Sequence, residues 1–387
     1  MAAKVFRVAS RARASVLIKE GQSLSVNYRL DDRPIRLTFR TRFLNRGYTV
    51  SVPGNLWLDA EGEAESIETA AAAFTNAGRV ISAAIALITN AAIAPLEPEI
   101  VYEISPGLAE RPFLQRFMPA DEIALTSRFV DVNLLGSIIE RLAAHLDRER
   151  IIRSASQYSE ALERWGMGNE LPTLAHLFMG VEAITPARLR REMDVQQKTA
   201  EELGTEWGYD PNRRMSLKSF LIEVTRAKLI FADDPVFKVA KDVSDWFEHG
   251  TKNAGALYMP ARKALVETAK YLRDAILHTI ALPEDTLQAV ARGNYARPRG
   301  HSGMENYWRS TLVGDAADLA ASGEAYPNFK WEIGYKNVTF NADTALYEFH
   351  PDYKMTASIA PGLEFRGGAL EVWDAGYFMP SRDEDNP

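Results

Sequence analysis

The residues whose types and spacing promise chemistry lie in Ser244-Asp245-Trp246-Phe247-Glu248-His249-Gly250. His249 carries the one side-chain type whose ordinary titration falls near neutral pH, so it can accept and release a proton. Asp245 stands four residues earlier and shares a helix face with it if the helix continues through both. Ser244 offers a hydroxyl, which supplies neither a permanent charge nor a bidentate fork. Lys241 lies eight residues before His249, about 80° round a helix and two turns away. Proton transfer beside an anion is the chemistry that such a set could carry.

A second Arg–His spacing occurs at Arg273-Asp274-Ala275-Ile276-Leu277-His278. On a straight helix Arg273 and His278 are about 140° apart. A pattern this short arises by chance in a helix-rich chain, so the two are expected not to converge. A third candidate is a strand over Pro34–Phe43. Ile35, Leu37, Phe39 and Phe43 take one face, and Arg36, Thr38, Arg40 and Arg42 take the other. That basic ladder is either a phosphate-contacting face or a solvated face balanced by Asp31, Asp32 and Glu20. Six histidines are present, with no i, i+4 pair and no HExxH, so no metal is expected. GxGxxG, GxxxxGK[ST] and GxSxG are absent as well, and no cofactor is expected.

The elements that must position these residues follow from pattern and punctuation. Ser15–Lys19, Ser23–Leu30, Pro34–Phe43 and Tyr48–Val52 read as strands separated by turn residues. Ser66, followed by Glu68, opens a long helix to about Ile93, which Pro95 and Pro98 stop. Ile100–Ile104 reads as a further strand and Phe113–Pro119 as an irregular apolar segment. From Asp131 the chain is helical throughout. Leu134–Leu146 and Asp147–Trp165 are amphipathic, Glu170–Ile184 is the central buried helix, and Arg188–Leu203 is an exposed extension beyond Pro186. Ser216 caps Leu217–Phe231, Asp234 caps Pro235–Glu248 with Val236, Val239, Val243 and Phe247 inward, and Pro260 opens Ala261–Leu282. Gly293–Gly303 reads as a linker. From Tyr307 onward short β-like runs return, and Ser381–Pro387 reads as a disordered tail.

The expected fold is therefore α+β and multidomain, a central all-α bundle flanked by N-terminal and C-terminal antiparallel β-rich modules. The boundaries fall at 1–134, 135–290, a linker over 291–303, 304–380 and the tail. The 387 residues exceed one ordinary core. A hydrophobic content of 46% with 25% charged residues is that of a soluble globular protein. The chain has no cysteine, which excludes disulfides, thiol nucleophiles and Cys-ligated metals and fits a cytoplasmic location. A net charge of −7 argues against a coat of nucleic acid but permits a local basic face. Ala70–Leu96 is apolar but interrupted by Asn76, Arg79, Thr89 and Asn90, so a packed helix and no membrane association are expected.

Helix, polar pair, His-Gly and a second helix resemble the signature region of HEPN domains, a helical family rich in RNA-cutting toxins and defence proteins. Tyr158–Trp165 followed by His176–Ile184 is similar to a helix pair in larger HEPN proteins, and the likeness covers about residues 135–282. In the family's nucleases an Arg and a His face the RNA backbone, often across a dimer. The His moves the 2′-hydroxyl proton and the Arg stabilises the phosphorane, without a metal. Here Asp245 and His249-Gly250 match, while Ser244 stands where the Arg would be. Loss of that donor costs roughly two to three orders of magnitude in rate. The resemblance implies an RNA- or nucleotide-binding, or protein-binding, module with a degenerate nuclease site, a homodimer through the bundle, and a role in defence or stress. One alternative is a metal-independent endoribonuclease whose Arg comes from Arg226, Arg273 or a dimer mate. Another is a structural or assembly protein. Glu182, on an apolar helix, is expected to bond a backbone group or an Arg such as Arg226.

Overall fold

The computed structural model describes residues 4–30, 33–105, 113–115, 123–124, 126, 128–166, 169–212, 214–301, 304–313, 328–342, 346–358 and 364–374. It is a mixed α and β chain. Two compact units emerge, one of Met1–Arg42, Gly54–Ser302 and Gly376–Pro387, the other of Phe43–Pro53 and Gly303–Ala375.

The first unit is built on a six-stranded antiparallel sheet in the order β2-β3-β4-β1-β5-β6. Its strands are β1 (Lys4–Ala12), β2 (Leu24–Leu30), β3 (Arg33–Leu44), β4 (Val52–Ala64), β5 (Glu97–Glu103) and β6 (Phe113–Gln115). Alternation sets the two faces. Phe6 and Val8 of β1, Ile35, Leu37 and Phe39 of β3, and Leu56, Leu58 and Ala60 of β4 are all buried on the inner face. Against it lies α1 (Ile67–Thr89), whose N-cap Ser66 accepts from the Thr69 N–H. This helix is long and apolar enough to cross a membrane by length and composition, and 67% of its most apolar window is buried inside the protein.

The helices α2 (Val132–Ala144), α3 (Arg148–Glu163), α4 (Glu170–Gln196), α5 (Ala200–Glu206), α6 (Leu217–Val224), α7 (Asp234–Glu248), α8 (Tyr258–Thr279) and α9 (Glu284–Ala291) follow. One apolar core runs unbroken from Phe6 and Val8 through Phe74 and Ile85 of α1 into Tyr158, Leu177, Val181, Leu272 and Val290. The expected boundary at residue 134 therefore cuts no gap in packing. Close approach of α4 and α8 depends on Gly180, where an added Cβ would meet the Leu272 side chain at 2.7 Å.

In the second unit β7 (Met304–Val313) pairs with β10 (Glu364–Asp374), and β8 (Asn328–Asn341) pairs with β9 (Leu346–Ser358), both antiparallel. The expected tail over Ser381–Pro387 lies outside the described residues, as do Asp31 and Asp32.

Several expectations need correction. Lys4–Ala12 is a strand that pattern reading passes over, because Ala9, Ser10 and Ala12 are too small to mark faces. Over Ser15–Lys19, residues 15–18 are buried, but the stretch forms only an isolated bridge, Leu17 with Phe129, rather than a strand. The strand expected over Tyr48–Val52 begins instead at Val52 and runs to Ala64, carrying Glu61 and Glu63, which look like a helix start in sequence. The central helix α4 continues through Pro186 to Gln196. Burial of Ile184 and Ala187 on either side outweighs the roughly 3 kcal/mol that an internal proline costs. The segment read as a linker is tied into the first unit. Arg299 donates its N–H to the Asn90 carbonyl at 3.0 Å, and Gly300 lies so close to the Trp165 carbonyl that no side chain fits.

Candidate functional site

The helix α7 starts at Asp233, whose carboxylate accepts from the Val236 N–H, and ends in a Schellman motif. His249 is its C-cap, the Gly250 N–H reaches the Phe247 carbonyl at 3.3 Å, and the Thr251 N–H reaches that of Trp246 at 3.2 Å. Gly250 sits at φ +61°, the left-handed region that favours glycine. The His-Gly step thus has a backbone cause. Beyond the turn, α8 returns from Tyr258.

The inward stripe of α7 is Phe237, Ala240, Val243 and Ser244, so Phe247 lies outside it and is exposed. Ser244 is 1% exposed, and its hydroxyl donates to Glu248 Oε1 at 2.8 Å. It therefore belongs to the packed side of the helix and does not face a ligand. His249 and Asp245 are both exposed. Beside them in the chain are Trp246, with the Lys252 ammonium over its ring at 2.9 Å, and the exposed Phe247, and at the start of α8 Tyr258 and Met259 are exposed as well. The corner holds an imidazole, one cation–π pair and exposed rings, a set suited to stacking and anion contact.

The remaining candidates from the helices are occupied elsewhere. Lys241 pairs with Glu223 at 3.3 Å. Arg226 sits in a π-helical stretch over Thr225–Phe231, pairs with Glu182 at 3.1 Å and lies over the Phe178 ring. That partner for Glu182 is the one named from sequence. Glu182 itself is exposed rather than buried.

Arg273 and His278 do not meet. Arg273 is 4% exposed, and its guanidinium donates to the carbonyls of Leu87, Ile88 and Val290 at 2.7–2.8 Å. His278 is exposed on α8. Leu87 and Ile88 are near the end of α1, a buried helix end that cannot turn to water, while Val290 belongs to α9. Arg128 completes the set, donating to Thr89 and Asn90 at 3.0 and 2.6 Å and to Arg297 at 2.8 Å. The Ala86 carbonyl takes the N–H groups of Asn90 and Ala91. Asn90, at φ 53°, also accepts from the Tyr158 hydroxyl at 2.6 Å and donates to the Tyr295 carbonyl at 3.0 Å. Burial, the largest influence, lowers the Arg273 pKa and raises that of Tyr158. Sequence reasoning missed Arg128 entirely. Its signal, an Arg just before a helical region, is no signal at all.

On the sheet, Arg36, Arg40 and Arg42 are exposed on the outer face of β3 as alternation requires. Arg40 pairs with Asp59 of β4 at 3.1 Å, and Asp59 also holds Arg7 of β1 at 3.0 Å. The guanidinium carbons of Arg40 and Arg42 lie 6.0 and 5.2 Å from the Trp57 ring centre. The partners found are Asp59 and Trp57, which the turn acids named from sequence did not anticipate. Elsewhere, His301 pairs with Glu163, and His176 Nδ1 lies 2.9 Å from Gln157 Oε1. Burial and then the nearby Arg164 lower the His176 pKa. Among the described residues no three His, Asp or Glu side chains are placed to hold a metal ion.

No protein-family model, no curated protein and no solved structure matches this chain.

Proposed function

We propose that this chain is a HEPN-like RNA-binding protein in which nuclease chemistry has been lost, with the α7–α8 corner as its contact with the strand. The observation that carries the reading is the opposite orientation of two neighbours on one helix. Ser244 is buried and spends its hydroxyl on Glu248, while His249 is exposed at the helix end. A proton-moving group is thereby offered to solvent without an arginine fork one turn back on its helix to stabilise a phosphorane. Within the chain, the two arginines that could replace it are engaged, Arg226 with Glu182 and Arg273 with three carbonyls. Trp246, Lys252 and Tyr258 supply the rings and the cation that single-stranded bases and phosphates use.

The test is incubation of the purified, metal-free protein with labelled single-stranded RNA beside His249→Ala and Trp246→Ala controls. Retention of intact RNA is expected, with binding weakened in both variants. Robust cutting that disappears with His249→Ala would sink the degenerate-site reading and put an arginine from a dimer mate in its place. Binding unchanged by both substitutions would move the contact away from this corner.

A further inference from the structure

We infer that the outer face of the six-stranded sheet is a second binding surface, one that takes single-stranded RNA across its strands. The inference goes beyond the α7–α8 corner and does not need it. The register places the relevant side chains. Glu61 stands opposite Arg7, Arg7 opposite Tyr102, and Tyr102 opposite Phe113, which makes one row across β4, β1, β5 and β6. Directly opposed residues in antiparallel strands share a face, so Tyr102 and Phe113 lie on the side that carries Arg7. Contacts with Asp59 and Trp57 put Arg40 and Arg42 on that side too.

The charge on this face is lopsided. Arg7 and Arg40 share Asp59, and Arg7 also reaches Glu61 at 3.6 Å. Arg36, and Arg29 on the neighbouring strand, are exposed and make no ion pair among the described residues. Asn27 lies opposite Arg36, so Arg29, two residues on, is its diagonal neighbour on the same face. Arg29, Arg36, Arg40 and Arg42 thus gather on β2 and β3, while the acids Asp59, Glu61 and Glu63 stand beside them on β4. Asp59 and the Trp57 ring hold Arg40 in place, which lowers the ordering cost of a phosphate contact.

From there the face continues into rings. Tyr102 on β5 stands directly opposite Phe113 on β6, which has 66% of its surface exposed, and Trp57 lies on β4 four residues along from Glu61, opposite Arg11. Four strand spacings of about 4.8 Å separate β3 from β6, a path of roughly 19 Å. That suits a few nucleotides with phosphates at the arginines and bases on the rings. A solvated face needs no exposed phenylalanine, and a protein partner chosen by charge alone needs no rings beside the arginines. Single-stranded nucleic acid uses both.

The experiment measures binding of a labelled oligouridine to the full chain over a series of salt concentrations. The variants are Arg36→Ala and Phe113→Ala, both at exposed positions, with His249→Ala in parallel and a thermal melt as a folding check. Phe113→Ala is expected to weaken binding by about fivefold or more. Arg36→Ala is expected to reduce the slope of log affinity against log salt by about 0.7. Equal affinity and equal slope in both sheet variants would overturn the inference. So would displacement of the RNA by polyglutamate at matched charge, which would mark the face as a site for acidic protein. Loss of binding in His249→Ala alone would overturn it too while leaving the α7–α8 reading intact. Loss in the sheet variants alone would support it and defeat that other reading.

Discussion

Two helix ends in this molecule answer the same electrostatic demand in opposite ways. A helix C-terminus leaves carbonyls without partners and carries partial negative charge. At the end of α1 that demand arises inside the protein, and Arg128 and Arg273 meet it with guanidinium groups that are themselves buried. At the end of α7 the same demand arises at the surface, where Gly250 closes the turn and His249 stands in solvent. The arginine that matches an Arg–His spacing is therefore structural, whereas the His-Gly histidine is not needed to hold its helix. Burial, rather than residue type, separates the two.

The contrast can be broken most forcefully at Arg273. Replacing it with Met keeps the volume and strands three buried acceptors, so unfolding free energy in denaturant should fall by about 3–5 kcal/mol. A loss below roughly 1 kcal/mol would mean that water or a neighbour reaches the end of α1, and the distinction between the two ends would collapse. Acid sharpens the contrast at a middle scale. With its folded-state pKa lowered by burial and by Arg164, His176 contributes stability above its ordinary value of about 6.5, lost as pH falls through the lowered folded value. Thermal melts of His176→Gln should show less of that acid-side decline than the unmodified chain; identical profiles would place the relevant titration elsewhere. The smallest effect belongs to His249→Ala, which should change stability by no more than about 0.5 kcal/mol. A clearly larger loss would assign His249 to the fold and remove the argument that it is free for a ligand.

Local signals in the sequence anticipate what local physics decides. Ser66, Asp131 and Ser216 cap helices, Ile35, Leu37 and Phe39 alternate inward against Arg36 and Arg40, and Arg226 finds Glu182. At the candidate site the His-Gly stop is equally legible. The inward direction of Ser244 was available too, since Phe237, Ala240, Val243 and Ser244 follow helical spacing; the valine-led stripe ending at Phe247 is the more hydrophobic pattern but not the buried one. Arg273 likewise sits among Ala269, Leu272 and Ile276 on the packed face of α8. What no local pattern records is the end of α1. Its partners come from a loop, from two later helices and from a glycine-rich stretch, each brought there by packing.

The polar cluster at Asn90 has a consequence for how the chain is made. Arg273 follows Ile88 by 185 residues, and the Arg297 carbonyl follows Arg128 by 169. At about 5–20 residues per second, synthesis leaves the Leu87 and Ile88 carbonyls without Arg273 for on the order of ten to forty seconds. The sheet and α1 emerge first but cannot finish by themselves, because the Leu87 and Ile88 carbonyls near the end of their central helix take their side-chain donor from Arg273 of α8. A nascent chain stopped before residue 273 should present that end as a frayed, protease-sensitive turn. The N-terminal third is thus a kinetic dependant of the segment that closes the first unit, and its folding is completed from the far end of the sequence.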